Sequence, residues 1–214
     1  MVNTMASHAL PLPHDLLWGL TPEHLEADAP AWAAQVLAAG APVVVRRAVT
    51  APGQVAVGVR GGERALRFAT LMPVTAITRR VTPEQLCASE RCISQPWPAL
   101  QALRQLRPQL DGLGLAWGVA GSAGFELASG IAALHQGSDL DLILRTPLPL
   151  SRERAADILD LLASNACAVD MQLQTSFGAV ALREWAGSSR RVLLKCAEGA
   201  RLVMDPWRAL EQVA

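Results

Sequence analysis

The sequence predicts a protein of mixed α+β / α/β class: a small N-terminal α+β module, residues 1–80, followed by a domain with a mixed sheet flanked by helices, residues 81–214. Three features predict it. Hydrophobic residues make up 51% of the 214, enough for a real core and too many for wholesale disorder. In the second part, strand-like apolar runs alternate with segments of helical spacing. Proline and glycine mark the joints between them.

In the first eighty residues, "DAPAWAAQVLAAG" reads as a short helix with Asp28 as its cap, Pro30 in its first turn and Gly40 at its end. "APVVVRRA", "GQVAVGVRG" and "RALRFATL" read as three strands, the last two joined by a hairpin at Gly61 and Gly62. "VTPEQL" reads as a helix start: Thr82 caps, Pro83 fits the first position and Gln85 completes a capping box. Leu100, Leu103, Leu106 and Leu110 then recur at helical spacing; Pro108 disturbs the final turn, and Gly112 and Gly114 end the helix. "LAWGVAG" is a buried strand, after which a helix-like run begins at Gly121-Ser122. Pro147 and Pro149 mark a loop, and "SRERAADILDLLASN" is a helix capped by Ser151 and stopped at Asn165. "CAVDMQLQ" alternates as a strand, and "RVLLKCA" with "RLVMD" forms a closing hairpin turned at Glu198 and Gly199.

Composition excludes several functions. Nineteen basic side chains balance nineteen acidic ones, which argues against bulk capture of nucleic acid or an anionic membrane. No run of about 18 uninterrupted apolar residues predicts a membrane span, and the N-terminus does not read as a signal peptide, so a cytoplasmic protein is expected. The four cysteines form no CxxC pair and read as reduced, buried thiols rather than zinc ligands.

The chemistry points to "SDLDLIL". In a strand, residues two apart share a face and stand roughly 6.6 Å apart, so Asp139 and Asp141 aim their carboxylates the same way while Leu140 and Leu142 face the core. Two anions so placed repel unless a cation lies between them, and Mg2+ suits such a gap. Gly121-Ser122 stands at a strand-to-helix turn, where glycine admits close approach and free N–H groups receive phosphate. Asp170 is a third metal ligand or base, provided that its strand lies beside the first.

"GS…DLDL" followed by a strand aspartate resembles the polymerase-β-type nucleotidyltransferase superfamily. "AGSAGFELASG", "SDLDLIL", "VDMQLQTSFGAVALREWA" and "VMDPW", with "HDLLW" and "PVVVRRA" near the start, resemble the malonate decarboxylase holo-acyl-carrier-protein synthases, or phosphoribosyl-dephospho-CoA transferases. That resemblance implies a nucleotidyltransferase-like catalytic domain. It implies transfer of the phosphoribosyl-dephospho-CoA group from triphosphoribosyl-dephospho-CoA to a serine of the apo acyl carrier protein subunit, with release of pyrophosphate. It also implies that Asp139 and Asp141 are catalytic and that Gly121 and Ser122 cradle phosphate. The loop "IAALHQG", with His135, departs from the family's expected flavour.

Arg46 or Arg47 can reach a triphosphate, since adjacent strand residues point to opposite faces, and Lys195, the single lysine, can reach the cleft from its strand. The doublets Arg79-Arg80 and Arg190-Arg191 can steer an acidic carrier. His8, His14 and His24 receive no chemistry. The competing readings are a small-molecule nucleotidyltransferase and an idle module that binds carrier or nucleotide. Nucleotide transfer to a small acceptor would mark the first; the intact aspartate pair speaks against the second, and wild-type rates after loss of the aspartates would remove their catalytic assignment.

Overall fold

The computed structural model describes residues 10–62, 66–89, 96–163 and 166–208, and within them the chain builds two sheets. The first is antiparallel, in the order β4-β3-β2-β1-β5. Its strands are β1 Leu16–Trp18, β2 Val43–Val45, β3 Gln54–Arg60, β4 Arg67–Pro73 and β5 Arg79–Val81, with helix α1 Ala31–Ala38 packed against it. β2, β3 and β4 are the three expected strands. β1 and β5 were not expected, because three residues are too few for alternation to register. α1 begins after Pro30 rather than at Asp28, which sits in a turn closed by Ala29 N–H to Glu26 O at 3.0 Å. Gly61 follows β3 as expected, and its N–H bonds Leu66 O at 3.0 Å to close the hairpin.

The second sheet is mixed, in the order β11-β10-β9-β8-β7-β6. Its strands are β6 Trp117–Val119, β7 Leu140–Arg145, β8 Val169–Gln174, β9 Ala179–Ala181, β10 Val192–Cys196 and β11 Gly199–Val203. Only β7 and β8 run parallel, and a parallel pair needs a crossover, here helix α4, Arg152–Leu162. The Ser151 hydroxyl accepts Arg154 N–H at 3.1 Å, the cap that the sequence predicts. The expected stop, Asn165, lies outside the described residues. Among the described residues, the other helices of this half are α2 Pro98–Asp111, α3 Gly121–Ser129 and α5 Leu182–Ala186. β9 and α5 are too short to carry a period and were not expected. The Thr82–Gln85 box does form, with Thr82 N–H to Gln85 Oε1 at 2.8 Å, but it caps a single 3-10 turn, Pro83–Leu86, instead of a longer helix.

Alternation decides which residues face the site. Leu140, Leu142 and Leu144 are buried in one core with Leu103 of α2 and Ile158 of α4. Asp141 and Arg145 therefore face the other side of the sheet. That side meets the N-terminal half, where Arg47 Nη2 donates to Gln174 Oε1 of β8, and also the 3-10 turn that follows it, where Arg145 Nε lies 2.7 Å from Glu84 Oε1 and a Cβ on Gly118 of β6 would come within 2.5 Å of Pro83. β1 is buried on both faces, so Leu16 joins the second core and Leu17 the first.

Candidate active site

The loop before β7 is fixed by its own polar groups. The buried Glu126 carboxylate on α3 accepts the N–H groups of Ala133 and Leu134 at 2.7 and 2.8 Å. Ser138 Oγ accepts His135 N–H at 3.0 Å, and Ser138 N–H returns to His135 O at 3.0 Å. His135 itself is exposed and its Nδ1 accepts Gly137 N–H, so the imidazole shapes the loop. This turn ends just before Asp139, and strand pairing begins only at Leu140, whose N–H bonds Ala168 O at 2.9 Å. Asp139 thus stands one residue outside the strand, contrary to the expectation of two strand positions.

The carboxylates nevertheless converge. One oxygen from each of Asp139, Asp141 and Asp170 lies within 4.8 Å of the others. Parallel register brings the third in, because Asp141 on β7 is directly opposite Asp170 on β8. Asp170 is exposed and accepts a hydrogen bond from Arg183 Nη2 on α5. Three hard oxygens at this spacing repel one another and fit a small divalent cation such as Mg2+, which these residues could hold.

Gly121 is required by this geometry. Its φ is +60°, in the left-handed region, and a Cβ there would sit 1.9 Å from Asp141 Oδ2. Ala120 N–H bonds Asp141 O at 2.9 Å, which ties the turn to β7. Ser122 Oγ accepts a hydrogen bond from Arg60 Nη2 at 2.7 Å, and that guanidinium also stands 5.3 Å over the Phe125 ring. The sequence reading missed Arg60. Its signal is its place at the end of β3, where Ala56, Gly58 and Arg60 share one face.

Two adjoining cavities open here. The larger, about 490 Å³, lies between the halves and is lined by Arg46, Arg60, Arg67, Phe68 and Phe125. The smaller, about 140 Å³, is lined by Asp141, Leu142, Ile143 and Gln172. His14, Ala120 and Gly121 line both. Arg46 therefore reaches the larger cavity. Arg47 turns to the second sheet, where its Nη2 donates to Gln174 Oε1 on β8. Lys195 is exposed on β10 and lines neither of these two cavities. Burial first, then the positive charges of Arg47, Arg145 and Lys195, lower the His14 pKa from 6.5 to about 4. His14, like Arg67, Phe68 and Phe125, is a site-lining residue that the sequence reading passed over.

Other residues serve the frame. Burial pushes the Cys87 thiol up to about 12 and raises Cys167 and Cys196, so these free thiols stay protonated. Cys92 lies outside the described residues. Trp185 and Trp207 meet edge to face at 5.1 Å and bond the carbonyls of Leu150 and Thr146, away from both cavities. No helix among the described residues is long and apolar enough to cross a membrane.

Comparison with known proteins gives first the class. The chain is 64% identical over 203 residues to the phosphoribosyl-dephospho-CoA transferase of Pseudomonas fluorescens (strain Pf-5), covering 95% of this chain and 97% of the relative. It is 62% identical to that of Pseudomonas syringae pv. tomato, covering 95% and 96%, and 56% identical to that of Azotobacter vinelandii, covering 93% and 95%. The protein is a transferase enzyme. The family models for the N-terminal and C-terminal domains of phosphoribosyl-dephospho-CoA transferase MdcG match residues 12–83 and 85–206, and the chain belongs to that family. No solved structure matches it.

Proposed function

We propose that this protein transfers the phosphoribosyl-dephospho-CoA group from triphosphoribosyl-dephospho-CoA to a serine hydroxyl of the apo acyl carrier protein subunit of malonate decarboxylase. The observation that carries the reading is the meeting of the Asp139–Asp141–Asp170 cluster with an arginine-lined cavity at Gly121. A polyanionic donor fits the larger cavity, where Arg46, Arg60 and Arg67 answer its phosphates and Phe68 and Phe125 offer apolar surface. The Gly121-Ser122 turn at the start of α3 admits the phosphate chain close to the backbone. The same strand-turn-helix beside a carboxylate strand supports placement in the polymerase-β-type nucleotidyltransferase superfamily.

In the proposed step the serine oxygen attacks the phosphorus nearest the ribose. A new P–O bond forms to the serine, the bond to the β-phosphate breaks, and pyrophosphate leaves. Asp139 and Asp141 hold the reacting groups in line, and Asp170, at the exposed rim, takes the hydroxyl proton. A divalent cation such as Mg2+, held by these carboxylates, would draw charge from the transferred phosphoryl group and from the acceptor oxygen. Arg60, anchored on Ser122, keeps the donor's phosphates at the turn.

The test is mass spectrometry of the apo carrier after incubation with donor, Mg2+ and this protein. The carrier is expected to gain the prosthetic-group mass and pyrophosphate to appear with it. Asp139→Asn and Asp141→Asn are each expected to lower turnover by about a thousandfold or more while thermal melting stays near wild type. No mass gain with a competent carrier, or full turnover in both variants, would overturn the reading.

A further inference from the structure

His14 is held in a conformation that ordinary side chains avoid. Among the described residues it is the one non-glycine residue with positive φ, at 78°. The fold pins it there from both sides. His14 N–H donates to Val45 O at 3.0 Å, and Val45 N–H donates to Asp15 O at 2.8 Å. The next side chain, Asp15, is fully buried; its Oδ2 accepts Leu12 N–H at 2.7 Å and lies 2.7 Å from Arg80 Nη2 on β5. Backbone strain that is over-determined in this way marks functional placement more often than chance folding. The placement is specific, because the half-buried imidazole lines both the arginine cavity and the cavity of Asp141. A phosphoryl group passing from the first to the second must lie beside it.

Resting on the function proposed above, we propose that His14 contacts the substrate and that its imidazole N–H donates a hydrogen bond to a non-bridging oxygen of the phosphoryl group being transferred. A neutral imidazole keeps one N–H donor, and burial among Arg47, Arg145 and Lys195 keeps it neutral at physiological pH. Such a donor strengthens as charge builds on that oxygen, so its loss acts on kcat more than on KM.

The left-handed backbone makes the test separable from folding. Glycine accepts this φ, asparagine tolerates it, and alanine does not. His14→Gly is expected to melt at or above the wild-type temperature yet lose kcat by about tenfold to a hundredfold, with KM for the donor nearly unchanged. His14→Asn, which keeps an N–H donor, is expected to recover part of kcat, and His14→Ala to melt lower than His14→Gly. Wild-type kcat in His14→Gly overturns the proposal, as does a loss of kcat that merely follows a fall in melting temperature. Asp141→Asn in the same assay separates the two ideas: if it is inactive while His14→Gly is fully active, only the histidine's role fails. If Asp141→Asn is also active, the site itself is misassigned. A second measurement needs neither donor nor carrier. The imidazole C2–H proton resonance of His14, identified by its absence in His14→Gly, is expected to move when inorganic tripolyphosphate is added. A resonance that stays fixed at every concentration overturns the proposal.

Discussion

At Gly121 a single hydrogen atom decides whether the carboxylate of Asp141 can stand where it does. Any side chain there meets Asp141 Oδ2 at 1.9 Å and must also adopt a φ of +60°. Gly121→Ala is therefore expected to cost about 1–2 kcal/mol from the backbone alone and to displace the carboxylate. Thermal melting should read the first effect and turnover the second, with turnover falling much further than stability. His14 carries one part of the pH dependence. Its pKa is lowered from 6.5 to about 4 by burial and then by Arg47, Arg145 and Lys195, while Asp141 shares the smaller cavity with it. Between those values the unfolded chain binds more protons than the folded one, so this group's contribution to stability is full above the upper value and is lost as pH falls toward the lower. The stability of wild type relative to His14→Gly should accordingly decline between about pH 7.5 and about pH 4.5, which denaturant midpoints will show. An unchanged difference would mean that His14 titrates normally in the folded chain. Gly121 was legible in the sequence, since a glycine between a strand and a helix has few other uses. The histidine was not, because nothing in "PLPHDLLW" says that its backbone is left-handed or what surrounds its ring.

At the scale of elements, the parallel pairing of β7 and β8 sets the third carboxylate. Asp170 is opposite Asp141 by register, and a slip of one residue would turn it to the core face. Arg183 on α5 bonds the same carboxylate. Asp170→Asn is expected to slow turnover by about a hundredfold, less than loss of either Asp139 or Asp141, since under the proposed function it removes the proton acceptor while the two carboxylates proposed to bind the cation remain. A single-turnover assay comparing the three variants checks the order, and an equal or larger loss at Asp170 would reverse the assignment of roles. Much at this scale was readable. The Ser151 cap, the Thr82–Gln85 box and the closing β10–β11 hairpin depend on residues within a few positions of one another, and they form, although the hairpin turns at Ala197 and Glu198, one residue before the expected Glu198 and Gly199. What the sequence hid are the three-residue strands β1, β5 and β9, which are defined by pairing with neighbouring strands and not by a pattern of their own. The start of β7 was hidden for a related reason: the turn from His135 to Ser138 takes up the chain until Leu140 finds Ala168.

For the molecule as a whole, the site is a seam between two sheets. Arg60 and Ser122 are 62 residues apart in the chain, and Arg47 and Gln174 are 127 apart. The β10–β11 edge of the second sheet is a basic rim although the chain is neutral: residues 183–208 hold six basic and three acidic side chains. Arg190 and Arg191 are exposed there, next to β10. An acidic acceptor would be steered to this rim, so reversing both charges, Arg190→Glu with Arg191→Glu, is expected to raise KM for the carrier by about tenfold at low ionic strength and leave kcat unchanged. The difference should fade as salt screens the rim, which a KM series in sodium chloride will show; no change at low salt would remove the rim from docking. The sequence by itself determined the alternation of strands and helices, the Asp139–Asp141 pair and the Gly121-Ser122 turn, because periodicity, capping and backbone freedom are local properties carried by neighbouring residues. Only the tertiary structure decided that Arg60 anchors on Ser122, that Arg46 and not Arg47 lines the larger cavity, and that His14 lines both that cavity and the cavity of Asp141. Those choices follow from how two separately patterned sheets pack, and packing brings together side chains whose distance along the chain carries no trace of their distance in space.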